Sequence, residues 1–339
     1  MERAIMCPQC NAPLAPNIFA RSIKCLYCGA TVQLDESVIT ASLFHKAFRI
    51  WNSPLSYEIS NWVSLGENHW ALDKFITSDD IADVYSGRRA RWPTELVILK
   101  LLRDQQDSSI LNKEWESLQI LLHSEARGSD TFTTLLPQPI DHGKLTSGKY
   151  AGGIVSIYRW ESGFQNTLEK IIQVYPEGIP PRTSIWVWRR VLEILSFIHA
   201  SGVVHGAVMP SNILIQDNEH GLRLVDYYYA GRIGEKMQNV PEKIKSFFPD
   251  QHKSKPVYTV LSDLQMSARC IIAALGGDPV TGTLPSIVPA PLVEVIQRIA
   301  DSHPVDTPCE DAWIIREELG KIADRIYGPP QFCPIKMPT

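Results

Sequence analysis

The stretch that decides the fold is Val204-His205-Gly206-Ala207-Val208-Met209-Pro210-Ser211-Asn212-Ile213-Leu214-Ile215, followed after a short interval by Leu224-Val225-Asp226-Tyr227-Tyr228. Apolar residues flank both segments, and the polar residues His205, Asn212 and Asp226 interrupt them. A small residue, Ala207, lies between His205 and Asn212. Any assignment of the fold must explain the spacing of the three polar residues and the small residue between them.

The composition is that of a soluble protein with a sizeable core. The chain has 339 residues, of which 44% are hydrophobic and 21% are charged, enough for one large domain or two smaller ones. The net charge of −4 argues against nucleic acid or an anionic membrane as the main partner. No stretch approaches the roughly 20 apolar residues of a membrane helix. The N-terminus lacks the apolar core of a signal peptide, so we expect a cytoplasmic location.

Four cysteines near the N-terminus form two C-x-x-C pairs, Cys7 with Cys10 and Cys25 with Cys28. Two such pairs supply four thiolates for tetrahedral zinc, and the pattern resembles a zinc ribbon over residues 1–34. Four thiolates leave no open coordination position, so the zinc would be structural. A redox dithiol is disfavoured because the surrounding βαβ pattern is absent. We expect the ribbon to dock a protein or to pack on the next domain.

The rest of the chain divides into a connector, a large domain and a short tail. Residues 35–69 form the connector, in which residues 39–51 have the pattern of an amphipathic helix that Pro54 ends. From about residue 70, β-rich segments come first and mainly helical segments follow. This order predicts an α+β domain over residues 70–327, with residues 328–339 as a C-terminal tail.

The large domain resembles a protein kinase domain. His205, Asn212 and Asp226 lie where the motifs H-R-D-L-x-x-x-N and D-F-G of kinases place their polar residues. Lys100, in Val97-Ile98-Leu99-Lys100, resembles the lysine of the strand motif V-A-I-K, and Glu114 resembles its glutamate partner. The resemblance implies a bilobal kinase-like fold with a small β-rich N-lobe and a helical C-lobe.

The same resemblance implies a nucleotide site. Lys100, Glu114, Asn212 and Asp226 would hold ATP with Mg²⁺, because the matching kinase residues contact phosphate or metal. An alternative role for these residues is structural, with Lys100 paired to Glu114. Asp263 resembles the buried aspartate that begins the central helix of kinases and braces the catalytic loop.

Several positions depart from the kinase pattern. Ala207 replaces the catalytic aspartate, and losing a general base typically costs about 10²–10⁴-fold in rate. Met209 replaces a common lysine, and Tyr228 replaces the glycine of D-F-G. The segment that matches the glycine-rich loop, residues 77–84, has no glycine and three aspartates. We therefore assign no catalytic residue.

Three functions are compatible with this pattern. The first is a pseudokinase that acts as a protein-binding scaffold or regulator, with little or no phosphotransfer, and that leaves ATP binding open. The second is an atypical but active Ser/Thr-type protein kinase that depends on ATP. The third is a zinc-ribbon adaptor that recruits a protein or nucleic-acid partner. The sequence does not identify the partner, the substrate or the oligomeric state.

Overall fold

The computed structural model describes residues 5–6, 12–14, 22–27, 31–33, 62–90, 95–148, 150–161, 163–216, 220–237, 247–248, 257–302 and 311–337. Three of the expected zinc ligands, Cys7, Cys10 and Cys28, lie outside these residues, as does the expected helix over residues 39–51. The fourth, Cys25, is buried. Within the described part of the chain, no group of three or more His, Cys, Asp or Glu residues is placed to hold a metal ion.

The strands are β1 (Ile5–Met6), β2 (Pro13–Leu14), β3 (Ser22–Lys24), β4 (Thr31–Gln33), β5 (Trp62–Leu65), β6 (Asn68–Ser78), β7 (Ala82–Arg89), β8 (Leu96–Leu102), β9 (Pro139–Lys144), β10 (Ser147–Gly148), β11 (Ile154–Arg159), β12 (Asn166–Thr167), β13 (Val203–Val204), β14 (Ile213–Gln216), β15 (Gly221–Leu224) and β16 (Gly231–Arg232). The helices are α1 (Ser108–Leu122), α2 (Ser129–Phe132), α3 (Leu168–Val174), α4 (Pro181–Ala200), α5 (Val260–Ala274), α6 (Ala290–Ala300) and α7 (Ala312–Tyr327).

The small lobe is built on a seven-stranded antiparallel sheet with the order β10-β5-β6-β7-β8-β11-β9. Its strand β5 lies within residues 35–69, so the sheet begins in the stretch that the sequence assigned to the connector. In β8, Val97, Leu99 and Leu101 alternate and are buried against one face of the sheet, as the period of two along a strand requires. Lys100 therefore points to the opposite face, towards α1.

The large lobe is mainly helical, and its core is formed by α4, α5, α6 and α7. Trp188 of α4 is fully buried, and its indole Nε1 donates a hydrogen bond to Ser267 Oγ of α5 over 3.0 Å. Leu192, Leu195 and Ile296 share this core. Burying a large apolar side chain contributes roughly 1.5–3 kcal/mol, so this packing stabilises the large lobe.

The C-terminal residues 329–337 pack on the large lobe. The carbonyl oxygen of Cys333 accepts hydrogen bonds from Trp186 Nε1 at 3.0 Å and His220 Nε2 at 2.8 Å. Phe332 stacks on His220 with ring centroids 4.2 Å apart, and Tyr27 meets both rings edge-on. The tail thus lies between the N-terminal segment around Tyr27 and the helices of the large lobe.

No helix in the described ranges is both long enough and apolar enough to cross a membrane.

Candidate functional site

A buried network of three charged side chains joins the small lobe to the segment after β15 in the large lobe. Lys100 Nζ on β8 lies 2.8 Å from Glu114 Oε1 on α1 and 2.6 Å from Asp226 Oδ1. Burial works against the charged ammonium, but Asp226 and Glu114 outweigh it and hold the pKa of Lys100 well above its ordinary value. Three of the four side chains that the sequence grouped as a nucleotide site, Lys100, Glu114 and Asp226, therefore meet at one point, whereas Asn212 is not part of this contact.

Glu114 has two further donors besides Lys100. The hydroxyl of Tyr158 donates to Glu114 Oε2 at 2.8 Å, and the backbone N–H of Tyr227 donates to Glu114 Oε1 at 3.1 Å. Burial is the largest influence on the pKa of Glu114 and raises it, while Lys100 acts in the opposite direction. A carboxylate with three donors is a strong structural tie between the sheet, α1 and the segment after Asp226.

The segment after β15 turns sharply at Asp226. Asp226 has a left-handed backbone with φ 62° and ψ 63°, which is uncommon for a residue other than glycine. The short 3₁₀ turn Tyr227–Tyr229 follows and turns the Tyr227 ring into the core, 4.6 Å from the ring of His205. The buried hydroxyl of Tyr227 has no hydrogen-bond partner among the residues that the structure describes. This conformation aims Asp226 at Lys100.

Asp263, in the first turn of α5, braces the loop that contains His205. Asp263 Oδ2 accepts the backbone N–H of His205 at 2.8 Å and the Nε2–H of His199 at 2.9 Å, and Oδ1 accepts the backbone N–H of Gly206 at 2.9 Å. Burial lowers the pKa of His205, whose neutral ring donates from Nε2 to the carbonyl of Val225 over 3.1 Å. The bracing role that the sequence resemblance implied for Asp263 agrees with these contacts.

The position that matches the catalytic aspartate of kinases is enclosed. Ala207 is fully buried, and its carbonyl accepts a hydrogen bond from Asn212 Nδ2 over 3.0 Å. Asn212 Oδ1 in turn accepts a hydrogen bond from the hydroxyl of Ser211. Met209 is also buried. The amide of Asn212 is therefore used within its own loop in this conformation.

The turn that matches the glycine-rich loop is held by Asp79. Asp79 Oδ1 accepts the backbone N–H groups of Ile81 at 2.9 Å and Ala82 at 2.7 Å, and these bonds close the hairpin between β6 and β7. Arg103 fixes the same turn from outside through hydrogen bonds to the carbonyls of Asp79 and Asp80, both at 2.7 Å. The Asp79 carboxylate thus occupies the inside of the turn.

Tyr228 connects this turn to the ion pair. Its hydroxyl donates to Asp79 Oδ2 at 2.6 Å, and Lys100 Nζ lies over its ring, 4.4 Å from the centroid. The side chain is 3% exposed and packs with Ile81 and Leu111. Burial, followed by the nearby carboxylates, raises the pKa of Tyr228 well above its ordinary value, so the hydroxyl keeps the proton that it donates.

The contact between Asp79 and Tyr228 is the feature that sequence reasoning missed. The two residues are 149 positions apart, and in the sequence each is only a departure from the kinase pattern. The signal that points to them is the coincidence of two unusual residues at positions where kinases have glycine. The structure brings both to Lys100.

A cavity of about 370 Å³ lies at the junction of the N-terminal segment, the tail, α4 and α7. The guanidinium groups of Arg190 and Arg316 both bind Glu193, at 2.7 and 2.9 Å. The Nε of Arg189 is buried beside them without an acceptor in the part of the chain that the structure describes. Trp186 and His220, whose rings are stacked, also line the cavity.

Comparison with known sequences gives partial matches to protein kinases. The chain is 31% identical over 103 residues to the phosphorylase b kinase gamma catalytic chain, liver/testis isoform, of Homo sapiens, covering 27% of this chain and 24% of that protein. It is 30% identical over 121 residues to the B1 kinase of Variola virus, covering 32% and 40%. The chain therefore spans between about a quarter and two fifths of the length of these relatives. No family model matches the sequence.

Comparison with solved structures covers most of the chain. The kinase domain of BubR1 superposes with a TM-score of 0.57 at 13% identity, covering 86% of this chain and 94% of that one. Vaccinia related kinase 3 superposes with a TM-score of 0.59 at 16% identity, covering 87% and 100%. Together with the sheet, the helical lobe and the residues around Lys100, these matches show that the chain has a protein kinase-like fold.

Proposed function

We propose that the protein is a pseudokinase that acts as a protein-binding scaffold or regulator, with little or no phosphotransfer. The observation that carries the proposal is the loop from His205 to Asn212, in which fully buried Ala207 holds the position of the catalytic base. Asp263 contacts this loop but uses both carboxylate oxygens on the loop backbone and His199. A general base must reach the proton that it removes, and neither residue offers a free carboxylate for that purpose.

In this proposal the Lys100 cluster is a structural brace. Lys100, Glu114 and Asp226 satisfy one another in a buried network that ties β8, α1 and the segment after β15 together. Such a network has a structural reason to persist without any nucleotide, because removing one partner would leave a buried charge unpaired. ATP with Mg²⁺ is then a ligand that the fold permits and the scaffold does not require.

The junction cavity is the place where we expect a protein partner to dock. Four cations, Arg189, Arg190, Arg316 and Lys321, line the cavity together with three carboxylates, Glu193, Glu317 and Asp324, so the lining has an excess of one positive charge. The buried Arg189 Nε–H without an acceptor would gain a hydrogen bond from an acidic side chain. An acidic segment of a partner protein fits this chemistry.

A zinc ribbon at the N-terminus is part of the same proposal, with Cys7, Cys10, Cys25 and Cys28 as ligands. Two short hairpins, β1 with β2 and β3 with β4, support it, because a ribbon consists of such hairpins. The metal would supply folding energy on the order of 10–16 kcal/mol, as in zinc-finger peptides. The contact of Tyr27 with His220 would place the ribbon beside the junction cavity. A cytoplasmic location remains a prediction.

An active, atypical kinase is the second candidate, and one observation favours it. The pairing of Lys100 with Glu114 and the direction of Asp226 are the arrangement that an active kinase requires of these residues. The reaction is mostly positioning and electrostatics, so a water or an unmatched carboxylate could assist it.

A phosphotransfer assay separates the two candidates. The full chain is incubated with Mg-ATP, and ADP formation and phosphate incorporation are compared with those of Asp226→Ala. The scaffold predicts no difference between the two proteins. Turnover that Asp226→Ala abolishes would establish the kinase instead.

A further inference from the structure

Asp79 occupies the part of the site where an anionic ligand would bind. In a nucleotide site, backbone N–H groups of a turn and the ammonium of a lysine face the phosphates. Here the N–H groups of Ile81 and Ala82 donate to Asp79 Oδ1, a carboxylate of the chain itself. These donors of the turn are already saturated by a negative charge.

Tyr228 blocks the second element of such a site, the lysine. Its ring lies 4.4 Å from Lys100 Nζ, and its hydroxyl donates to Asp79 Oδ2 at 2.6 Å. On its other sides, Lys100 is held by Glu114 and Asp226 at 2.8 and 2.6 Å. A carboxylate or an aromatic ring therefore lies on three sides of the ammonium. An incoming phosphate can accept a hydrogen bond from Lys100 only if it displaces one of these groups.

Apolar packing stabilises the closed arrangement, and its excess of negative charge opposes the binding of phosphate. Tyr228 shares an apolar cluster with Ile81, Ala82 and Leu111, so that the turn, α1 and the segment after Asp226 bury surface together. The cluster of Lys100, Glu114, Asp226 and Asp79 contains one cation and three carboxylates. A phosphate entering beside Asp79 would meet like charge at short range.

We propose that Asp79 and Tyr228 form a latch, defined by the hydrogen bond between their side chains, that closes the phosphate position of the kinase-like cleft. The proposal rests on the pseudokinase assignment and adds how its nucleotide site is kept shut. Mg-ATP binds only to the form in which the Tyr228 hydroxyl has left Asp79 and the ring has left Lys100. The apparent affinity is then lowered by the rarity of that open form.

Calorimetric titration of the full chain with Mg-ATP tests the latch with a matched pair of variants. Asp79→Asn removes the charge that faces Tyr228, whereas Asp80→Asn makes the same chemical change one residue later, at an exposed position. We expect Asp79→Asn to bind Mg-ATP at least about tenfold more tightly than the wild type, and Asp80→Asn to match the wild type. Tyr228→Phe, which keeps the ring and removes the hydroxyl, should also tighten binding.

Two further variants keep the result interpretable. Tyr228→Gly removes the ring as well as the hydroxyl and should give the tightest binding, and thermal unfolding shows that each variant is folded. Adding Lys100→Met to Asp79→Asn should abolish the gain, because the gain depends on exposing that ammonium; the titration is run at a temperature where the double variant, which lacks the buried cation, is still folded.

The outcomes distinguish the latch from the proposed function. Equal Mg-ATP affinity in wild type, Asp79→Asn and Tyr228→Phe, all folded, overturns the latch and leaves the scaffold untouched. Equal gains in Asp79→Asn and Asp80→Asn also overturn it, since a general charge effect would then explain the result. Phosphotransfer by the wild type overturns the pseudokinase assignment, whatever the affinities are.

Discussion

Replacing Lys100 by methionine should strongly destabilise the protein, because the lysine is the buried cation that braces two carboxylates. Methionine has similar length and no charge, so Lys100→Met leaves Glu114 and Asp226 buried together without their cation. Removing one partner of a buried ion pair typically costs about 3–5 kcal/mol of unfolding free energy. The side chains of Lys100 and Glu114 are 9% and 1% exposed, so solvent screens the pair little and the full range applies.

The loss should depend on pH with a defined sign. In the wild type, burial raises the pKa of Glu114 and Lys100 lowers it, so Lys100→Met raises the folded-state pKa further above the unfolded value of 4.5. A carboxyl group with a raised folded pKa contributes stability below its unfolded pKa and loses that contribution as the pH rises through the folded pKa. The deficit of the variant should therefore be smaller at about pH 5 than at about pH 8.

Urea unfolding followed by tryptophan fluorescence and calorimetric melting measure this effect. A loss of 3–5 kcal/mol lowers the melting temperature by roughly 6–10 °C at about 2 °C per kcal/mol for a domain of this size. Lys74→Met, at an exposed position on β6, is the control and should change stability by no more than about 0.5 kcal/mol. A loss below about 1 kcal/mol in Lys100→Met, or a deficit that grows towards acid pH, would refute the reasoning.

Three further changes test the surrounding structure. Asp263→Asn leaves at least one of the two buried backbone N–H groups, those of His205 and Gly206, without an acceptor. The change should lower the free energy of unfolding in urea by about 1–3 kcal/mol. An unchanged urea midpoint would contradict the bracing role of Asp263. Gly206 has φ +73°, and a Cβ added there by Gly206→Ala would lie 2.3 Å from the Tyr229 carbonyl oxygen. This change should lower the melting temperature more than Gly234→Ala, because Gly234 has a similar φ and open space around it. Equal losses in the two variants would mean that the loop relaxes to accommodate the Cβ. Burial lowers the pKa of His220 from 6.5 to about 4, so the wild type should lose stability as the pH falls from 6.5 towards 4. His220→Gln should flatten that dependence. Parallel curves of stability against pH for the two proteins would exclude His220 as the cause.

The sequence predicted the kinase-like fold, and it singled out residues that the structure places close together. The loop from His205 to Asn212, with Asp226 and Lys100, carries the spacing of a kinase, and the structure brings Lys100, Glu114 and Asp226 into contact. These residues could be singled out because their order and spacing resemble those of the kinase motifs.

The sequence could not predict contacts that depend on tertiary packing. The hydrogen bond between Asp79 and Tyr228 depends on how closely the hairpin between β6 and β7 approaches the segment after Asp226, and no local period encodes that distance. Strand β5 falls within the predicted connector because four residues, Trp62–Leu65, are too short for a periodic signal. Residues 329–337 fall within the predicted tail, although Cys333 is held through its backbone carbonyl, a contact independent of side-chain type.

The rate of ADP formation by the full chain with Mg-ATP tests most directly whether this kinase-like fold lacks the kinase reaction. We predict no ADP formation above that of Asp226→Ala, with water, the chain itself or a mixed Ser/Thr peptide pool as acceptor. Transfer at an ordinary kinase rate of about 1–100 s⁻¹, lost in Asp226→Ala, would contradict the assignment.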